Sequence, residues 1–284
     1  MEVQTAHSFT GRMCAASRWE ESQRPDSLFT DAVAYKLAGP AGLKSPMGAW
    51  VMVPRTRFGD DFLRKHYHKK INPARQVVLL GAGMDARAFR MCDVPEAVFF
   101  EIDQQTTFDV KEPLLKGEEL QVKDRLVVAT DFSNDHRYGL KSRQMPQWGQ
   151  DLLAQGFDPT VPTVWLLEGL MMYLTVEDQK LLIRTIGDLS PPSGGSAVFF
   201  DAISATYVRN NINVAGAPFV GGSDDYAGLW RDYAKFNTTA VHDFNSIEVD
   251  RNYRCLRVAQ EAWAFCTPAS LRGQNVVLFV ESEQ

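Results

Sequence analysis

The sequence predicts an α/β fold: a doubly wound, Rossmann-like, seven-stranded and mostly parallel sheet with an antiparallel final strand. A helical N-terminal cap and an insertion after the fifth strand complete it. Three observations predict this. Apolar runs of strand length recur between residues 76 and 200, separated by segments long enough for crossover helices. Those runs are apolar at nearly every position, as in a parallel sheet covered on both faces. The first of them breaks into Gly-Ala-Gly before a charged stretch, "VVLLGAGMDARAFR" at 77–90.

Residues 1–72 carry no strong strand signal and read as the cap. Ala16, Trp19, Leu28, Val33 and Leu37 fall at roughly helical spacing, interrupted by Pro25. "GAWVMVPRTRFGDDFLRKHYHKK" at 48–70 is a second helical segment, with Pro54 marking a kink or restart. The main domain, 73–284, then alternates. Strands are predicted at 76–80, 97–102, 125–129, 163–167 and 196–200, and helices at 85–91, 105–115, 151–155 and 175–189. "SPPSGGS" at 190–196 is a turn leading into the fifth strand. After Asp201 the pattern loosens. Residues 202–250 read as a lid over the site, with a helix at 226–236; strands at 253–259 and 275–281 close the sheet as a tail pair.

The chain has 284 residues, which one large domain with additions accommodates. A net charge of -5 argues against nucleic acid as partner. The basic cluster Arg64, Lys65, His66, His68, Lys69 and Lys70 follows an amphipathic stretch and reads as a solvated helix end. Cys14, Cys92, Cys255 and Cys266 show no CxxC pair and no metal-ligand spacing, so no metal is expected. The opening residues have no apolar core of a signal peptide, and no run approaches the ~18 apolar residues that span a bilayer. A cytoplasmic monomer or homodimer, off the membrane, is expected.

Chemistry gathers at the strand ends. Gly81 and Gly83, with Ala86 in the third small position, lie where open α/β sheets bind ligands. The next strand ends in "FFEID", which puts Glu101 and Asp103 about 20 residues on, in register for ribose hydroxyls. Spacing alone permits a nicotinamide dinucleotide or S-adenosylmethionine. The third strand ends in "VVATDF", presenting Asp131 and Phe132 to an adenine, and the fourth in "VWLLEGLMMYL", presenting Glu168. Three acidic strand ends repel a pyrophosphate and suit a ligand with a sulfonium and an α-ammonium. The electrostatics therefore favour S-adenosylmethionine. The long helical stretch before the glycines also weighs against an NAD-dependent oxidoreductase.

These motifs together resemble the leucine carboxyl methyltransferase-like superfamily of class I S-adenosylmethionine-dependent methyltransferases. The similarity is greatest to its bacterial branch with tetracenomycin-type polyketide carboxyl methyltransferases. It runs from "AASRWEESQRPDSLFTDAVA" through "RTRFGDDFL", "QVVLLGAGMDARAFR", "FFEIDQ" and "ATDF" to "WLLEGLMMYL", and fades after about residue 204. The resemblance implies that Arg55, with Arg57 as rival, meets the methionyl carboxylate, and that Gly81 and Gly83 pass beneath the methionine. It implies Asp103 on the ribose, Asp131 and Phe132 about the adenine, and Glu168 near the amino-acid end. Glu101 either shares the ribose or pairs with a cation such as Arg87.

The implied activity is O-methylation of a small-molecule acceptor, a carboxylate of a polyketide-like or aryl acid, with a phenolic hydroxyl as alternative. A catalytically silent binding module on the same fold is the third reading. An ionised carboxylate needs no general base, whereas a phenol does. Tyr173 and His242 are the candidate catalytic residues; His7, His66, His68 and His136 read as surface or packing residues. Met171 and Met172 follow Glu168 towards the crevice. Tyr207, Phe219, Tyr226 and Trp230 would give the acceptor an aromatic lining.

Overall fold

The computed structural model describes residues 6–132, 140, 142, 144–209, 213–214, 217–243 and 277–284. Three helices come first: α1 (Ala6–Ser22), α2 (Ala34–Leu43) and α3 (Ala49–Tyr67). Helix α1 stops before Pro25. Helix α3 runs through Pro54, whose missing N–H removes one intrahelical bond near the helix start.

The alternating part follows as β1 (Gln76–Leu80), β2 (Val98–Asp103), α4 (Gln105–Leu115), β3 (Asp124–Ala129), α5 (Gln147–Ala154), β4 (Thr163–Leu167), α6 (Val176–Asp188) and β5 (Ala197–Ile203). Beyond it lie α7 (Ala205–Val208), a two-stranded ladder of β6 (Asn213–Val214) and β7 (Ala217–Pro218), α8 (Tyr226–Ala234), β8 (Thr238–Asp243) and β9 (Val277–Glu283). Seven strands make one sheet in the order β3-β2-β1-β4-β5-β9-β8. The first five are parallel; β9 is antiparallel to both β5 and β8, so β8 points with the rest. The doubly wound, mostly parallel sheet is as predicted.

Each strand face has its own cover. Val78 and Leu80 pack with Trp148 and Leu152 of α5, Leu182 and Ile186 of α6, and Trp230 of α8. Val77 and Leu79, pointing the other way, pack with Phe62, Leu63 and Tyr67 of α3. Strands β1, β4 and β5 are buried along their whole length, which explains their unbroken apolar runs.

Several expectations need correction. The predicted helix at 85–91 is a single 3-10 turn, Arg87–Phe89. The Asp85 side chain accepts the Arg87 N–H at 2.7 Å, a local bond that competes with a helix, and the Arg87 side chain turns inward to buried acids. Helix α3 supplies the cover that this segment does not, so the predicted cap includes a layer of the sheet. The predicted lid at 202–250 contains α8, which packs into the core, and β8, an edge strand of the sheet. Strand β8, "TTAVHD", lacks an apolar run because an edge strand is covered less; Val241 is 45% exposed. The predicted strand at 253–259 lies outside the described residues, and the one at 275–281 is β9.

Candidate active site

The strand order reverses between β1 and β4, and beyond their carboxyl ends a cavity of about 790 Å³ opens, walled also by α1 and α3. The turn after β1 forms one side. Gly81 and Gly83 take φ of +70° and +47°, the left-handed region that favours glycine. In that conformation the Gly83 N–H donates to Asp103 Oδ2 at 2.7 Å. The Gln104 N–H and the Thr107 hydroxyl donate to Asp103 Oδ1 at 2.7 and 2.9 Å. Three neutral donors therefore fix this carboxylate at the cavity wall. Asp131 and Phe132 line the same side from the end of β3. The Gln104 amide donates to Asp131 at 3.5 Å, and Phe132 meets Trp148 edge to face.

The opposite side is a connected set of buried charges. Arg55 Nη1 donates to Asp201 Oδ2 at 3.0 Å, and Arg55 Nε lies 3.4 Å from Glu168 Oε2. Glu168 Oε1 accepts from Arg87 Nη2 at 2.5 Å. Arg87 also pairs with Asp85 and, at 2.8 Å, with Asp60, which in turn holds Arg90 through two bonds of 2.6 and 2.7 Å. Asp31 then bridges Arg90 and Arg18. Burial, the largest influence, raises the Glu168 carboxyl, and Arg87 and Arg55 reverse that only in part. Burial would likewise raise Asp85, but Arg87, Arg18 and Arg90 hold it below the usual carboxylate range. Helix α3 approaches this set at Gly59, where a Cβ would stand 2.5 Å from Glu168 Oε1 and 2.7 Å from Arg87 Nη2.

Of the residues singled out in the sequence, Arg55, Gly81, Gly83, Asp103, Asp131, Phe132, Glu168 and Tyr173 all line this cavity. Arg57 does not; it pairs with Asp61 and donates to the Leu28 carbonyl at 2.7 Å. Glu101 is also elsewhere. It is fully buried against Lys111 at 2.6 Å and Arg125 at 2.7 Å, so its cation partners are these and not Arg87. His242 sits on β8, 3.1 Å from Glu281 and beside the Phe58 ring, away from the cavity lining. His66 is buried against Phe62, contrary to its reading as a solvated helix end. Tyr226 and Trp230 belong to the core, while Tyr207 and Phe219 do line the cavity. His136 lies outside the described residues. Sequence reasoning missed Asp85 and Asp201 in the lining. The signal for Asp201 was available, since it lies in β5 as Glu168 follows β4.

A family model described as leucine carboxyl methyltransferase matches residues 12–187. A Streptomyces coelicolor protein, SCO7813, provisionally named an S-adenosyl-L-methionine-dependent methyltransferase, is 36% identical over 186 residues, 60% of either chain. A provisionally so named protein of Saccharopolyspora erythraea is 30% identical over 296 residues, covering 97% of this chain and 93% of its own. The chain's match spans 60% of SCO7813 and 59% of the Streptomyces avermitilis relative SAV474. Two crystal structures share the fold. A DUF574 family protein of Streptomyces avermitilis has a TM-score of 0.53 at 11% identity, over 95% of this chain and 96% of that one. A provisionally named methyltransferase of Thermobifida fusca has 0.52 at 14% identity, over 95% and 94%. With the match to the family model covering well over half its length, the chain belongs to the leucine carboxyl methyltransferase family.

Proposed function

We propose that the chain is an S-adenosylmethionine-dependent O-methyltransferase whose acceptor is a carboxylate on a small molecule. One observation carries the cofactor: the Gly81–Gly83 turn and Asp103 are bonded to each other at the cavity wall, so loop and ribose acid form one unit. The donor set fits the same ligand. Asp103 Oδ2 has one protein donor and retains capacity for ribose hydroxyls. Asp131 and Phe132 stand where the adenine would be held. Arg55 would meet the methionyl carboxylate; among the described residues its Nη2 donates to sulfur atoms, Met52 Sδ at 3.2 Å and Cys14 Sγ at 3.8 Å, which are weak acceptors. Glu168 would take the ammonium. Among the described residues the lining holds five carboxylates against three guanidinium groups, which disfavours a dinucleotide pyrophosphate.

The bound cofactor supplies an electrophilic methyl group for in-line displacement. The chain's own part is positioning and exclusion of water. Met47, Val51 and Met52 from one side, with Met172, Tyr207 and Phe219 from the other, offer an apolar, partly aromatic surface for the body of an acceptor. Of the stretch 202–250 expected as a lid, Ile203, Tyr207 and Phe219 line the cavity. Burial pushes the Tyr173 hydroxyl up to about 12, so it holds its proton at neutral pH and can donate to an acceptor oxygen. A tyrosine in that state is a poor base. An acceptor that arrives ionised suits it, and carboxylic acids do so at neutral pH.

The test is transfer of a tritiated methyl group to a panel of aryl and polyketide-like acids and matched phenols. A methyl ester releases methanol in mild alkali; an aryl ether does not. Alkali-labile label is expected, and alkali-stable label alone would replace the carboxylate by a phenolic hydroxyl.

A further inference from the structure

We propose that the cavity tells S-adenosylmethionine from its demethylated product by charge, with Glu168 as the residue that responds. This rests on the cavity being the S-adenosylmethionine site. Arg18, Arg55, Arg87 and Arg90 form one connected set with Asp31, Asp60, Asp85, Glu168 and Asp201. Four cations face five carboxylates, which leaves one negative charge in excess. No side chain of the set is more than 15% exposed, so water does little to offset that charge. Asp103, in the same lining, adds negative charge, and among the described residues every cation of the lining already belongs to the set.

S-adenosylmethionine carries a sulfonium, an ammonium and a carboxylate, a net charge of +1. Methyl transfer removes the sulfonium charge and leaves a net-neutral product. The ligand that enters therefore balances the buried set, and the one that leaves does not. Without a cationic ligand the excess charge is relieved by a proton, and Glu168 is placed to take it. Arg55 of α3 and Arg87 pair with it directly, and Asp85 after β1 and Asp201 of β5 are its neighbouring acids. Asp60 of α3 lies behind Arg87, and Tyr173 beyond β4, with Cys14 and Arg18 of α1, lines the same cavity. Burial favours a proton on Glu168, whereas Arg90 and Arg87 hold Asp60 ionised against its burial. The sign follows. S-adenosylmethionine favours ionised Glu168, so its affinity is full above the Glu168 pKa of the free protein and declines as pH falls through it. The product keeps the ammonium that Glu168 would take but has lost the sulfonium charge, so its binding depends on that proton less.

Titration calorimetry on the full chain, with each ligand, at about pH 5 and pH 7.5 and in two buffers of different ionisation heat, tests this. At the higher pH S-adenosylmethionine should bind at least about fivefold tighter than S-adenosylhomocysteine, as for one partly screened charge. That ratio should shrink at the lower pH, with more proton released on binding S-adenosylmethionine than on binding the product. An analogue with a protonated amine in place of the sulfonium should behave like S-adenosylmethionine. Glu168→Gln and Asp201→Asn, checked for folding by circular dichroism, should each bring the ratio towards one; Asp201→Asn does so with Glu168 still present. Equal affinities with identical proton balance would overturn the charge inference and leave the cofactor site standing. An unchanged ratio in both variants would do the same. Binding of neither ligand would overturn both.

Discussion

Compare the middle of β2 with its end. Glu101 and Asp103 are two residues apart and share one face of the strand, and both are acids in a stretch that suggests a ribose ligand. About 7 Å of strand separates their roles. Glu101 lies under α4 and beside β3, where Lys111 and Arg125 neutralise it; it is fully buried and outside the cavity lining. Asp103, at the last position of the strand, clears the sheet edge and is steadied by neutral donors that leave its charge available. Within β2, the acid held by cations is walled into the fold, and the one held by amides and a hydroxyl is left facing the cavity.

Substitutions at these two positions should separate stability from affinity. The largest effect is expected for Glu101→Ala, which leaves the fully buried Lys111 without its acid. Orphaning a buried charge costs about 3–5 kcal/mol, so a denaturant midpoint should fall sharply. The protein that remains folded should bind S-adenosylmethionine as wild type does. Asp103→Ala should do the reverse, losing about 1.5–3 kcal/mol of affinity for S-adenosylmethionine and its product alike by calorimetry, with little change in the midpoint. NAD should show no measurable binding to wild type; micromolar affinity lost in Asp103→Ala would make the site a dinucleotide site. Arg55→Ala should weaken S-adenosylmethionine about tenfold or more through a lost charged hydrogen bond, and Arg57→Ala, outside the cavity, should not. Gly59→Ala would press a methyl group on the Arg87–Glu168 pair, and a several-fold loss of affinity with an intact fold is expected. The smallest effect is expected at His242→Ala: turnover within about twofold of wild type and no base-type ionisation lost from the rate profile.

What could be read from the sequence follows the same division. Strands buried on both faces announce themselves as apolar runs, and β1 and β4 have the predicted bounds. The strand-end acids follow from position alone. Hidden from that reading are groups whose burial depends on distant partners. Asp60 and Arg87 look like solvated residues of a helix until the fold sets them 2.8 Å apart. Edge strand β8 needs too little apolar surface to stand out, and the aromatic residues of 202–236 look alike although Trp230 enters the core and Tyr207 the cavity. Glu101 stays open between ribose and cation in the sequence for a sharper reason: alternation gives the face of a residue but not its depth.

Helix α3 also ties the start of the chain to its later parts. Arg55 meets Asp201 only across 146 residues, and Arg87 meets Glu168 across 81. The N-terminal helices are made well before β5, yet Arg55 of α3 finds its Asp201 partner there, and β8 and β9 come later still. Long-range pairing of this kind is slow to form, and exposed charge and apolar surface persist until it does. A nascent chain halted before β5 would carry Arg55 without its Asp201 partner and a helix face without its full sheet. The segment that walls the cavity is thus completed late, since Arg55 gains its Asp201 partner only after β5 has been made.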